Sequence, residues 1–228
     1  MKNTIKTFLF AICIFFTSGL KSQNKNLDNK SYKELWKLYR TTKDPTLKLN
    51  SAKVYYSKAT EEKDSVKQLE GNFAIGVCYG MREESKKALP YFEKAFLLSN
   101  TAKSKKVSLL YLLDWKSFVE LLTENYKAAL QTIDTGISAY NTNKNIKSIT
   151  NLVKMHLTAS ECYLLKQDIN NYIKSIDEGI LLSNSIGDDT YLESLMNDKE
   201  KFETLKKKNY KELNSLINKT FSITLTCQ

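Results

Sequence analysis

Proline and glycine are nearly missing from this chain, two and seven among 228 residues. So few turn-formers, with almost no strand-like alternation, speak against a β architecture and suit helices joined by short turns. Histidine occurs once, at His156, with no Cys, His or carboxylate constellation around it in sequence, so packing explains it better than ligation or general-base work. No glycine-rich phosphate loop follows a strand, because no convincing strand exists. Nothing resembles a strained nucleophile turn either. No apolar stretch of about 20 residues follows residue 22, the length a membrane helix needs. The composition therefore gives no support to an enzyme.

What is abundant is lysine. The formal charge is +10, falling to +7 if Lys2, Lys6 and Lys21 leave with an N-terminal segment. The remaining lysines are spread along the chain, often near Glu or Asp, which reads as a solvated helix surface rather than a nucleic-acid stripe. Met1 to Thr7 carries two lysines and no acid, and Phe8 to Phe16 is an unbroken apolar run, followed by small residues. That pattern is a secretory signal peptide over 1-22, with cleavage near Gly19 or Ser22 and a secreted or periplasmic destination; an uncleaved anchor is the alternative. Cys13 has Ile12 before it, so lipid attachment is not expected. Removal leaves Cys78, Cys162 and Cys227, without metal-ligand spacing. Cys78 and Cys162 are expected too far apart for a disulfide and read as small buried apolar residues. Cys227 lies on a tail.

After a polar linker, 23-30, Ser31-Tyr32-Lys33-Glu34 is a capping box, and Leu35, Trp36, Leu38 and Tyr39 form the apolar face of a first helix. Asp44-Pro45 is an N-cap followed by proline at the first helical position. The next helix carries Ala52-x-x-x-Tyr56-x-x-Ala59. The same small-large-small pattern returns at Ala88, Phe92 and Ala95, at Ala129, Ile133 and Gly136, and at Tyr172, Ile176 and Gly179, where a bulky residue departs from it. Paired carboxylates such as Glu61-Glu62, Glu83-Glu84 and Asp188-Asp189 read as caps and dipole partners. Pro90 lies about one turn into its helix, as a first-turn proline or a kink.

Counted from Leu69, the residues Ile75, Gly76, Tyr79, Ala88, Phe92 and Ala95 fall on the signature of one unit of the tetratricopeptide repeat family, a helix-turn-helix hairpin of about 34 residues. Asn100 stands where the signature has proline, and Glu120 where the third unit should have Tyr. The chain resembles a divergent, secreted bacterial member of that family. The resemblance implies an all-α fold, a right-handed α-α superhelix of four to five hairpins. Units run over about 31-63, 64-100, 102-141 and 145-185, with 188-219 as a cap, together the domain 31-219, and 220-228 as a tail. Steps between equivalent small residues exceed the family's, so longer helices or longer turns are expected. Gly187 should stop the fourth hairpin, and Leu192, Leu195, Met196, Lys199 and Phe202 mark the next helix.

In that family the first helix of each hairpin lines a groove that holds a partner. The matching positions here are Glu70, Phe73, Val77 and Met81 in the second unit. They are Tyr111, Asp114, Phe118 and Leu122 in the third, and Lys154, Leu157 and Glu161 in the fourth. The very apolar first helix of the third unit is expected to be buried on several sides rather than offered to a ligand. The implied function is a non-catalytic scaffold or adaptor holding a protein or peptide outside the cytoplasm, with no cofactor, no metal and no nucleic acid. A detached or shortened sensor input module of a bacterial signalling system is the second reading, and nucleic-acid binding by a basic helical protein the third.

Overall fold

The computed structural model describes residues 27–142, 148–187 and 189–206, so the segment 1-22 expected to be a signal peptide, the end of the expected cap, the expected tail and Cys227 lie outside the described residues. Among these residues regular structure is all-helical, with no strand. The helices are α1 (Tyr32–Thr41), α2 (Pro45–Glu61), α3 (Ser65–Gly80), α4 (Ser85–Ser99), α5 (Leu109–Leu122), α6 (Tyr126–Thr142), α7 (Ile149–Leu165), α8 (Ile169–Ile186) and α9 (Leu192–Lys206). Each packs on its sequence neighbour. In addition α5 touches both α3 and α7, so first helices of successive hairpins meet.

Helix starts follow local chemistry. Ser31 and Glu34 close the capping box, with the Ser31 amide donating to Glu34 Oε2 at 2.8 Å. Asp44 Oδ1 accepts from the Thr46 and Leu47 amides, and Pro45 opens α2. Four connections then share one hydrogen-bonded turn. The amides of Lys63, Glu83, Glu124 and Gln167 reach back three residues, and those of Asp64, Glu84, Asn125 and Asp168 reach back five. This is the Schellman geometry, with φ between 55° and 61° at the first residue of each pair. Glycine is the usual occupant of that conformation, and none of the four is glycine. At the end of α8, Gly187 does adopt it, at φ 63°.

Asp188 lies outside the described residues, and of the other acidic pairs none supplies a side-chain cap to a helix start. Glu61 ends α2 and Glu62 follows it, at the end where a dipole disfavours acid; Glu84 sits at the start of α4 and pairs with Lys87. Pro90 stands inside α4, beyond its first turn, and removes the N–H that would bond the Lys86 carbonyl. The linker expected to reach Lys30 is docked from Leu27 onward. Leu27 is buried with Leu35 and Tyr55, and the Lys58 ammonium donates to the Lys30 carbonyl at 2.9 Å.

The small-large-small pattern has a direct packing consequence. A Cβ on Gly136 would come 2.7 Å from Met155 Sδ of α7, and one on Gly179 would come 3.2 Å from both δ-carbons of Leu195 in α9. The equivalent Ala59 and Ala95 are fully buried. The second helices α6 and α8 are thus hollowed where a later helix enters. Tyr172, the bulky departure, is buried against Phe202 at 5.4 Å between ring centroids. The longer repeat step comes from both expected sources. Residues 100–108 form a long connection, while α6, α7 and α8 have 17, 17 and 18 residues. Cys78 and Cys162 are free, buried and in separate clusters.

Gly71 lies outside the repeated small-large-small positions. A Cβ there would lie 2.8 Å from Tyr56 Cβ and 2.9 Å from Tyr56 Cα, so α2 and α3 touch almost backbone to backbone. Gly71→Ala is expected to cost about 1–3 kcal/mol, despite the ~1 kcal/mol that alanine gains in a helix. At Gly80 the new methyl would meet Trp115 at an ordinary 3.4 Å, so Gly80→Ala should stabilise by about 0.5–1 kcal/mol. Urea unfolding followed by circular dichroism separates the two; equal shifts would refute the close approach.

Candidate partner-binding face

The first helices α3, α5 and α7 carry ten of the eleven positions that the repeat resemblance marks, with Met81 just after α3, and the structure sorts them by exposure. In α3, Glu70, Phe73 and Val77 are buried, while Met81 just beyond the helix is 61% exposed. In α5, Asp114 is buried, and Tyr111, Phe118 and Leu122 are half-buried. In α7, Lys154, Leu157 and Glu161 are half-buried. Accessible positions therefore concentrate on α5 and α7, and α3 is enclosed: Gly71 to Cys78 are buried without a gap. Phe73 lies between Phe92 (5.9 Å) and Tyr111 (4.8 Å) by ring centroids. The apolar α5 is largely buried as expected, through Leu110, Leu112, Leu113, Val119 and Leu121.

Glu70 is held inside the protein by three donors. The Tyr55 hydroxyl bonds its Oε2, the Ser104 hydroxyl lies 2.7 Å from Oε1, and the Lys106 ammonium 2.8 Å from Oε2. Lys106 also sits 4.8 Å above the Trp36 ring and 5.1 Å above that of Tyr55. A charge-assisted network around one buried carboxylate thereby pins the 100–108 connection over α2 and α3. Burial, then the bond to Glu70, drive the Tyr55 hydroxyl pKa far upward.

Asp114 is the corresponding buried acid of α5. Asn151 Nδ2 donates to its Oδ2 at 2.8 Å, and the Lys154 ammonium stands 4.0 Å away, itself 5.7 Å from the Tyr191 ring. Burial raises the Asp114 pKa to about 6, with Lys154 and Asn151 pulling the other way. Glu161 is raised to about 7, by burial first and then by the charge of Asp198. His156 is lowered by burial. Glu120, where the family has tyrosine, is buried and bonded by Lys116 and by the Thr132 hydroxyl at 2.7 Å. Sequence reasoning missed Ser104, Lys106, Asn151 and Tyr191. No local pattern marks them, because their partners lie 34 or more residues away.

The raised Asp114 pKa has a sign that can be checked. A carboxyl whose folded pKa exceeds its ordinary value of about 3.8 favours the fold most when protonated. That contribution is complete below about pH 3.8 and is lost as pH rises through about 6. Asp114→Asn should therefore stabilise the protein at pH 7.5, on the order of 2 kcal/mol, and much less at pH 4. Urea midpoints at both pH values measure it; a variant that loses stability at pH 7.5 would show that the bond from Asn151 outweighs the cost of burying the charge.

Among the described residues no group of three His, Cys, Asp or Glu could hold a metal ion, and no helix is long and apolar enough to cross a membrane. Compared with protein-family models, curated proteins and solved structures, the chain matches none.

Proposed function

We propose that this chain is a non-catalytic scaffold of the tetratricopeptide-repeat type, its hairpins stacked as a right-handed superhelix. It acts outside the cytoplasm, delivered by the 1-22 signal segment, and holds a protein or peptide segment along the face made by α5 and α7. The observation that carries this reading is the repeated hollow on the second helices, where Gly136 admits Met155 and Gly179 admits Leu195. Such spacing-conserved hollows suit a stack in which each unit buries what its neighbour leaves bare. The face itself is mainly aromatic and aliphatic, with Tyr111, Phe118, Leu122 and Leu157 beside the charged Lys154 and Glu161, a composition suited to an extended or helical peptide. No cofactor and no nucleic acid belong to this reading.

The test is capture in the native host by crosslinking, followed by identification of the partner and repetition with Phe118→Glu. Phe118 is half-buried beside Trp115, 6.3 Å between ring centroids. The charge should cut capture roughly ten-fold or more while the helical spectrum persists. Unchanged capture with the fold intact sinks the α5–α7 face. Phe73→Ala is no binding probe, since Phe73 lies in the core.

A further inference from the structure

A second set of residues, none of them among the eleven marked positions, gathers where α1, α2, α3 and α4 come together. Tyr79, near the end of α3, stacks on Tyr91 of α4, with centroids 5.7 Å apart and planes at 26°. The ammonium groups of Lys53 and Lys87 lie 5.7 and 6.0 Å from the Tyr79 ring, and that of Lys94 lies 6.0 Å from Tyr91. Lys48 stands 6.0 Å from the Tyr39 ring at the end of α1. Lys87, Tyr91 and Lys94 recur at helical spacing and share one face of α4. Arg82, in the turn between α3 and α4, donates from Nη2 to the Pro45 carbonyl at 2.6 Å. Burial pushes the Cys78 thiol beneath this surface up to about 11, against the pull of Lys48, Arg82 and Lys53. These three cations therefore act on one point.

Five cations are gathered here, and among the described residues the one carboxylate in ion-pair contact with any of them is Glu84, with Lys87. Among the described residues Lys48, Lys53 and Lys94 have no carboxylate within 4.0 Å. The lysines are also partly ordered before any partner arrives, because each rests against a tyrosine ring. We propose that this tyrosine-backed basic surface docks an acidic segment of a protein partner, one rich in aspartate or glutamate. The inference rests on reading the chain as a protein-binding scaffold and adds a second contact to it. Charge complementarity selects the class of partner. A nucleic acid would use ring faces as platforms for its bases, but Tyr79 has one face against Tyr91 and lysines close to the ring. What the surface offers is separated positive charge over the half-buried Tyr79 and Tyr91 and the buried Tyr39, which suits side-chain carboxylates spaced along a peptide.

The test uses the purified chain and a fluorescein-labelled glutamate oligomer of about twelve residues, followed by anisotropy at two salt concentrations. A thymidylate oligomer of the same length serves as the nucleic-acid comparison. The glutamate oligomer should bind saturably and more weakly at high salt. Lys53→Glu combined with Lys94→Glu should weaken it roughly ten-fold or more, and Phe118→Glu should leave it unchanged. Absence of saturable binding, or binding indifferent to the double variant, overturns the proposal. Tighter binding of the thymidylate oligomer, lost in the same variant, overturns it in favour of nucleic acid. Native-host capture that persists when the glutamate oligomer does not bind separates failure of this surface from failure of the scaffold reading.

Discussion

Phe92→Ala is expected to cost about 3–5 kcal/mol, the range for deleting a fully buried phenylalanine. That is a large share of the ~5–15 kcal/mol that holds a domain folded. The ring is fully buried and joins two hairpins. On one side it fills the hollow left by Gly76, where an added Cβ would lie 3.0–3.1 Å from its carbons. On the other it lies nearly parallel to Trp115 of α5, at 6.4 Å and 14°, with the Phe73 edge at 5.9 Å. The void left by truncation is bounded by helices that cannot all collapse into it.

Its partner mutation makes the prediction specific. Gly76→Ala alone forces the Phe92 ring to move by a few tenths of an ångström. In the Phe92→Ala background the same methyl enters empty space and adds helix propensity, so it should restore about 1 kcal/mol. Equilibrium urea unfolding of the four proteins gives the cycle. Additive effects would mean that Gly76 and Phe92 do not share the space assigned to them.

The second large effect is at Glu70. Glu70→Ala leaves the Tyr55 and Ser104 hydroxyls without their acceptor and frees Lys106 from its carboxylate. Removing one member of a buried, hydrogen-bonded ion pair costs several kcal/mol. Lys106 retains 38% side-chain exposure and can turn to water, so about 2–4 kcal/mol is expected here. Glu70→Gln, which keeps the shape and part of the bonding, should cost roughly half as much. Because the 100–108 connection is tied down through this carboxylate, trypsin should cut Glu70→Ala at Lys103, Lys105 or Lys106 well before it cuts the parent chain. A variant as resistant as the parent would show that the apolar anchors Ala102 and Val107, both buried, hold the connection unaided.

These two sites also mark how far the sequence can be read. Phe92 and Gly76 were legible because they recur at fixed spacing, and the same pattern located Gly136 and Gly179. Glu70 was legible only as a position on a first helix. Its spacing matched a partner-facing site, while its side chain is enclosed by Tyr55 and a connection whose path the repeat pattern does not specify. Phe73 and Val77 share that fate. Asp114 and Glu120 are buried acids for the same reason: each found a donor, Asn151 or Lys116 and Thr132, that makes burial tolerable.

By itself the sequence determined the helical class, the starts at Ser31 and Asp44, the stop at Gly187, and the small residues that let helices meet. All of these depend on hydrogen bonds or periodicities spanning a few residues. Only the tertiary structure decided which marked positions reach solvent, that Gly71 presses on Tyr56, and that lysines from α2 and α4 crowd one tyrosine pair. Exposure and charge are set by neighbours that the chain brings in from beyond the reach of local propensity, as Tyr56 comes to Gly71 and as Ser104 and Lys106 come to Glu70. No stretch of sequence contains both partners of such a contact within the few residues over which local propensity acts.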